Sequence, residues 1–372
     1  MKKILFLINT LNAGGAEKVL VDVVNSLDTQ KYLVTVQTVL DGGENKRFLS
    51  PVIRYKTMIR TKNVCLRRML SALYLKILGA GFIYRLFVKE RYDYEIAFLE
   101  GQPTRIISKS TNRMAKKYAW IHTDLNAYPN SMLAYGSQDR EEEAYRAFDK
   151  VICVSEDVKR EFLRKYRINQ NRVEVLYNII DDTAIAERAR EQVQLPVNAK
   201  PVFISVGRMV PQKGYDRLLR VHQRLIREGY RHSLVLIGDG EQRAALSAFV
   251  QANGLSDTVT FLGYQSNPYK YVSRSDLFIC SSYAEGYSTV VSEAVLCDTP
   301  VLSTAVSGAN EPQNCPRCSI VVDNNEDALY ESLKDILEDP GKLMALHDDL
   351  EQRKATLRKD HLVAELERRL FL

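Results

Sequence analysis

The sequence predicts an α/β protein made of two doubly wound domains. Three observations carry the prediction: a length of 372 residues, two successive series of short apolar runs, and amphipathic stretches between the runs. That length exceeds what a single hydrophobic core usually spans, so two domains of ordinary size are expected. The first series comprises KILFLIN, YLVTVQTV, YEIAFLE, KYAWIH, KVICVS and VEVLYN; the second comprises PVFISVG, HSLVLIG, TVTFLGY, DLFICSS, PVLST and SIVVD. Several runs are apolar nearly throughout, as in a parallel sheet whose two faces are both covered by helices. Between them, stretches such as YDRLLRVHQRLIRE and EQRAALSAFVQAN repeat apolar residues at helical spacing, which completes the alternation of strand and helix.

Taken in order, residues 1–180 make the N-terminal domain, 181–200 a polar linker around Pro196, 201–348 the C-terminal domain, and 349–372 a charged helical tail that must pack on a domain already built. Ligands of doubly wound sheets bind beyond the carboxyl ends of the strands, so the two domains are expected to face each other across a cleft that holds the ligand. The apolar run at the N-terminus is short and broken by Asn9 and Asn12, so it reads as a first strand and not as a secretory leader. Cys65, Cys153, Cys280, Cys297, Cys315 and Cys318 are too few for a disulfide framework in a chain of this length, and a reducing cytoplasm suits them.

The net charge is +6, but residues 1–180 carry +11 and the remainder −5. Residues 46–91 hold twelve basic residues against the single acid Glu90, which points to an anionic partner. Within this segment Leu66, Met69, Leu70, Leu73 and Ile77 form one helical stripe, with Arg67, Arg68 and Lys76 off it. Those charges argue against a membrane span. Two readings stay open: a basic amphipathic helix lying on an anionic bilayer, and an ordinary helix with its stripe in the core. Nucleic acid is not expected, because no aromatic-and-basic strand pattern or reading helix accompanies the charge.

The candidate site centres on EGYSTVVSEA, where Glu285 and Glu293 lie eight positions apart. A helix is expected to start at Ser288 or Thr289, either of which can cap it, since Val290, Val291, Ala294 and Val295 follow at helical spacing. The N–H groups of Gly286, Tyr287 and Ser288 then combine with the positive end of the helix dipole into a phosphate site, with an acid on either side. Gly207-Arg208 ends the first strand of the second series, and Pro211-Gln212-Lys213-Gly214 opens the next helix. Arg208 and Lys213 either converge on a diphosphate or form a solvated basic loop.

Asn12-Ala13-Gly14-Gly15 follows the first strand of the chain, and its glycines either bring backbone close to an anion or sugar or serve a tight turn. Gly238-Asp239-Gly240 reads as a bend. His122 closes KYAWIH, where it either donates to a sugar oxygen or a developing charge, or is structural. His222 and His232 read as helix-surface and strand-entry residues. Cys315 and Cys318 are half a zinc pattern without a second pair, and no metal cluster is expected.

Glu285 and Glu293 form an E-x7-E element preceded by DLFICSSYAEG and followed by CDTPVLST, with SVGRMVPQKG, VLIGDG and VTFLGY in order upstream. This arrangement resembles the retaining nucleotide-sugar glycosyltransferases of glycosyltransferase family 4, and the resemblance covers most of the chain. It implies the GT-B architecture of two Rossmann-like domains facing across a cleft, a nucleoside diphosphate sugar (UDP-sugar favoured) as donor, and no bound metal or other cofactor. It assigns Glu285 and the following Gly286, Tyr287 and Ser288 to the donor sugar and diphosphate, and Glu293 to the ribose hydroxyls. Gly207, Arg208 and Lys213 go to the leaving diphosphate, Tyr264 to the base, Gly14 and Gly15 to donor and acceptor, and His122 to the transferred sugar. Many relatives have Pro and Asn where this chain has Ser288 and Thr289, and AVSGANEPQ keeps only Gly308 of a glycine-rich loop.

The implied reaction is retaining transfer of a hexose or N-acetylhexosamine to a saccharide acceptor in cell-surface polysaccharide synthesis. The acceptor is expected to be lipid-linked if residues 46–91 meet a membrane, with the protein cytoplasmic and peripheral on the inner face of the plasma membrane. Two alternatives are a nucleotide-sugar 2-epimerase on the same architecture and an inactive membrane-associated scaffold. The E-x7-E element and the basic first domain favour transfer over epimerisation, and Glu285, Glu293, Arg208 and Lys213 argue against an inactive scaffold.

Overall fold

The computed structural model describes residues 1–12, 14–60, 79–127, 129–309, 319–347, 350, 354–355 and 357–371. Two units divide the chain: Met1–Ile179 together with Leu362–Leu372, and Ile180–His361. In the first unit the elements are β1 (Lys2–Ile8), α1 (Gly15–Ser26), β2 (Tyr32–Leu40), β3 (Arg54–Ile59), α2 (Ala80–Phe87), β4 (Tyr94–Ala97), α3 (Gln102–Ile107), β5 (Lys116–Ile121), α4 (Gln138–Arg146), β6 (Lys150–Cys153), α5 (Glu156–Lys165) and β7 (Val173–Val175). The seven strands pair in parallel in the order β3-β2-β1-β4-β5-β6-β7. Ile4 through Ile8 are fully buried, as a central strand covered on both faces requires. The order reverses between β1 and β4, so the loops after these two strands open side by side at a topological switch point. β3 is absent from the apolar runs because RYKTMI interleaves Arg54 and Lys56 with its apolar residues. It lies at the sheet edge, where such charge is tolerated.

The second unit contains α6 (Asp182–Ala189), β8 (Val202–Val206), α7 (Tyr215–Arg227), β9 (Ser233–Ile237), α8 (Arg243–Ala252), β10 (Val259–Gly263), α9 (Tyr269–Val272), β11 (Leu277–Cys280), α10 (Thr289–Leu296), β12 (Val301–Thr304), β13 (Ser319–Val322), α11 (Glu326–Glu338) and α12 (Gly341–His347). Its parallel sheet has the order β10-β9-β8-β11-β12-β13, with the switch point between β8 and β11. Side chains alternate along each strand, so two cores form. Phe203, Leu234, Leu236, Leu277 and Ile279 pack with Leu218, Leu219 and Leu225 of α7 in one, and Val202, Ile204, Val235, Ile237 and Phe278 pack with Val291, Ala294 and Val295 of α10 in the other.

One stretch differs from the sequence-based expectation, and the C-terminal tail agrees with it. Residues 181–200 are not simply a linker: Asp181 Oδ1 accepts from Ala184 N at 3.0 Å and starts α6, whose Ile185 is buried in the second unit's core. The C-terminal stretch carries α13 (Lys359–Leu370), and residues 362–372 belong to the first unit. The carbonyls that end a helix lack intrahelical partners. Here Tyr118 OH donates to Leu370 O at 2.9 Å, Tyr94 OH to Phe371 O at 3.0 Å and Lys150 Nζ to Arg369 O at 2.7 Å. The Phe371 ring lies 4.9 Å from that of Tyr94 and 5.2 Å from that of Tyr32.

His222 also differs, because it is buried on α7 and not on the helix surface, while His232 does enter β9; the two are joined by a 2.8 Å hydrogen bond between Nδ1 of His222 and Nε2 of His232. The Tyr230 carbonyl faces Nδ1 of His232 at 2.9 Å and Thr258 Oγ1 faces Nε2 of His222 at 2.9 Å. The carbonyl must accept, so His232 carries its proton on Nδ1 and His222 donates to its neighbour. Burial holds both imidazoles neutral, with His232 pushed down to about 4 and His222 well below its usual value.

Candidate functional site

At the switch point of the second unit the loop after β8 meets the loop after β11, which brings together residues 72 apart in sequence. Gly207 follows β8 and its N–H donates to Ile237 O at 2.9 Å. Gly214, with φ +64°, then starts α7. Glycine is required there: a Cβ would stand 2.0 Å from Ser281 O in the facing loop. Four hydrogen bonds stitch the loops: Tyr283 N to Gln212 O at 2.8 Å, Gln212 Nε2 to Ala284 O at 2.9 Å, Ser281 Oγ to Lys213 O at 3.1 Å and Arg217 Nε to Ser281 O at 2.7 Å. Gly238 and Gly240 are bends pressed against the same loop, since a Cβ on either would collide with Gly207 O or Met209 O.

Within this frame Lys213 Nζ lies 2.6 Å from Glu285 Oε1, and Ser282 Oγ donates to the same oxygen at 2.6 Å. Glu285 is 8% exposed and Lys213 is half-buried. Burial works against the charge on Lys213, but the Glu285 carboxylate outweighs it and raises the ammonium's pKa above its usual value. Arg208 is exposed, and its positive charge acts on Lys213 in the opposite sense to Glu285. The ammonium has three donors and the pair uses one of them, so a further anion finds Lys213 and Arg208 on the same loop.

α10 begins at Thr289 with Ser288 as its N-cap, but the Ser288 hydroxyl does not cap the helix; it faces Cys280 Sγ at 3.9 Å. Gly286, Tyr287 and Ser288 are buried, and Tyr287 OH meets Ser292 Oγ at 3.0 Å. Gly308, φ +80°, passes so close that its Cβ would stand 3.2 Å from Gly286 O. Glu293 is on α10 and 7% exposed, while Tyr264, after β10, is 58% exposed. A phosphate placed at this N-terminus would meet the positive end of the helix dipole.

The sequence reading missed Arg217. This side chain on α7 is 1% exposed, donates to the carbonyls of Ser281 and Ser282, to Asn324 Oδ1 at 2.8 Å and to Thr304 Oγ1 at 3.2 Å, and lies 4.1 Å from the Tyr283 ring centroid. A guanidinium held mainly by carbonyls anchors the loop that carries Ser282 and Glu285. The available signal was a charged residue four positions before Val221, on the face of α7 that is buried.

In the first unit, His122 follows β5 and is 9% exposed, packed 4.8 Å from the Phe98 ring and stacked along Trp120. Burial pushes its pKa down to about 3, partly countered by a bond to the Phe98 backbone. Nε2 has no hydrogen-bond partner among the described residues, so the proton that the Phe98 carbonyl accepts is on Nδ1. With Nδ1–H engaged in this way, a neutral imidazole offers Nε2 as an acceptor. The turn after β1 differs from an open anion cradle. A Cβ on Gly14 would stand 2.1 Å from Glu17 Oε2, so a carboxylate already covers the start of α1, whereas Gly15 has nothing within 4 Å of such an atom.

Residues 61–78, which hold the basic stripe, and residues 310–318, which hold Cys315 and Cys318, lie outside the described residues. Among the described residues no group of three or more His, Cys, Asp and Glu side chains is placed to hold a metal, and no helix is long and apolar enough to cross a membrane.

Residues 13–184 match the family model described as Glycosyltransferase Family 4, and residues 187–354 match the model described as Glycosyl transferases group 1. The chain is 25% identical over 358 residues, 91% of each partner, to a Campylobacter jejuni protein named N-acetylgalactosamine-N,N'-diacetylbacillosaminyl-diphospho-undecaprenol 4-alpha-N-acetylgalactosaminyltransferase. It is 27% identical to an uncharacterized glycosyltransferase of Haemophilus influenzae, over 82% of this chain and 80% of that one. Among solved structures, Anabaena HepE in complex with UDP and glucose superposes with a TM-score of 0.78 at 19% identity, covering 100% of this chain and 99% of that one. Sucrose-phosphate synthase from Thermosynechococcus elongatus gives the same score at 20% identity and the same coverage. These two likenesses speak for the fold.

Proposed function

The chain belongs to glycosyltransferase family 4, with two Rossmann-like units of the GT-B type, and on that premise we propose that it moves a hexose or N-acetylhexosamine from a UDP-sugar to a lipid-linked saccharide with retention at the anomeric carbon. The observation that carries the donor assignment is the Lys213–Glu285–Ser282 cluster at the switch point of the second unit. Glu285 accepts hydroxyls of the sugar, with the following backbone toward the diphosphate; Lys213 and Arg208 balance the charge that builds on the departing UDP. Glu293 takes the ribose and Tyr264 stands beside the base. In the first unit Nε2 of His122 accepts a hydroxyl of the transferred sugar, and Gly15 lines the approach of the saccharide.

In the transfer step the bond from the anomeric carbon to the phosphate oxygen breaks and the bond to the acceptor oxygen forms on the same face. The acceptor proton passes to the departing phosphate, so no enzyme nucleophile or metal is assigned. Support for UDP is the HepE complex with UDP and glucose. Support for a lipid-linked acceptor is the printed activity of the Campylobacter relative. The excess of basic residues in 46–91 supports docking on an anionic membrane at the cytoplasmic face.

The test is a screen of UDP- and GDP-sugars by thermal shift, since a ligand bound only to the folded state raises its apparent stability, followed by NMR of the product. A UDP-sugar should raise the melting temperature and yield a product with the donor's anomeric configuration. An inverted product would end the retaining assignment, and a shift with GDP-sugars alone would end the UDP assignment.

A further inference from the structure

We infer that Glu100 is a positioning residue for the transfer: its carboxylate fixes the turn after β5 so that Nε2 of His122 is presented to the sugar. The inference rests on the reading above that His122 contacts the transferred sugar. Glu100 follows β4 and is buried beside the neighbouring strand β5. Its Oε1 accepts three hydrogen bonds, from His122 N at 2.7 Å, Thr123 N at 2.7 Å and Thr123 Oγ1 at 2.9 Å. These amides lie past the last residue of β5 and so have no ladder partner; the Glu100 side chain supplies one, and the donors work against the burial that raises the carboxyl's pKa.

The same short segment holds the other end of His122, because the Phe98 backbone takes the ring proton. Main chain and imidazole are thus both fixed by residues 98–100. The segment is itself tied down: Phe98 N donates to Leu7 O at 2.8 Å, Thr104 Oγ1 to Leu99 O at 2.9 Å and Tyr135 OH to Gly101 O at 3.1 Å. A buried carboxyl group whose Oε1 serves this single turn, two positions beyond Phe98, holds the main chain of His122 and Thr123 in place.

Glu100→Gln keeps the shape and replaces one carboxyl oxygen by an amide nitrogen that can only donate. It should lower kcat by about 10- to 100-fold, the effect of a misplaced group, leave KM for the donor within about threefold and leave the UDP-induced thermal shift unchanged. Imidazole 15N spectra should show the unprotonated Nε2 of His122 in the native protein and mixed tautomers in the variant. The deciding measurement is a double-mutant cycle with His122→Ala: in that background Glu100→Gln should change kcat by less than about threefold. Effects that multiply would overturn the inference, as would full turnover in Glu100→Gln beside a slow His122→Ala. Unchanged turnover in His122→Ala would overturn the role given to His122 as well. If Glu100→Gln does not fold, Thr123→Val removes one donor to Oε1, and the same non-additivity with His122→Ala is required of it.

Discussion

Lys213→Met keeps the length of the side chain and deletes the charge that neutralises Glu285. At 2.6 Å the pair attracts by about 6 kcal/mol at an effective dielectric of ~20. Stripping water from two ions offsets much of that attraction, yet removing one partner strands the other, which costs about 3–5 kcal/mol for a buried pair. Lys213 retains some access to solvent, so the lower end applies. A loss of about 3 kcal/mol corresponds to a fall in melting temperature of roughly 6–12 °C for a unit of this size. The same ammonium is assigned to the leaving diphosphate, and removing a preorganised electrostatic group of this kind lowers turnover by about 100- to 1,000-fold. Stability and turnover separate in Lys213→Met/Glu285→Gln, which leaves no stranded carboxylate. The double variant should recover most of the melting temperature and none of the turnover. Differential scanning calorimetry and initial rates at saturating UDP-sugar read the two effects. Turnover within about threefold of the native protein in Lys213→Met would refute the assignment of Lys213 to the leaving group. A double variant that melts no higher than the single one would refute the account of the ion pair.

Three further outcomes follow from particular residues. His232 is held down to about 4 and His222 lower still, while both titrate near 6.5 once unfolded. Between pH 6.5 and 4 the unfolded chain therefore binds protons that the folded chain refuses, and stability falls as pH falls, by about 3 kcal/mol for His232 alone. Urea midpoints should drop from pH 7 to pH 5 and do so less steeply in His222→Leu/His232→Leu; equal slopes would rule the pair out as the source. Glu293→Gln should raise KM for the UDP-sugar roughly 10-fold with kcat within about threefold, and a 2′-deoxyribose donor should abolish the difference between native and variant; a fall in kcat instead would move Glu293 into the chemistry. Gly214→Ala places a methyl 2.0 Å from Ser281 O at φ +64°, so it should lower the melting temperature and UDP affinity together by forcing the two loops apart, and calorimetric binding of UDP at native strength would show that the loops tolerate it.

Much of the architecture was legible in the residues. Twelve of the strands correspond to apolar or β-branched runs, because strands of a parallel sheet covered on both faces are rich in such residues. β3 escaped because an edge strand bears Arg54 and Lys56 without penalty. The start of α10 was readable from Ser288, Thr289 and the apolar spacing after them, but the use of Ser288 was not: whether its hydroxyl caps the helix or turns toward Cys280 depends on a strand that precedes it in the fold. The polarity of 181–200 suggested a connection, since the burial of Ile185 depends on the core that α6 meets.

The sequence by itself determined that Glu285 stands before a helix and Lys213 after a strand, because capping residues and periodicity are local properties of the chain. Only the tertiary structure decided that the two meet at 2.6 Å, since that contact is a product of strand order: β8 and β11 become neighbours when the sheet reverses direction. The same holds for His122. Its place at a strand end is written in KYAWIH, but its lowered pKa comes from burial, partly countered by the Phe98 backbone, which are properties of the folded surroundings and not of the residue.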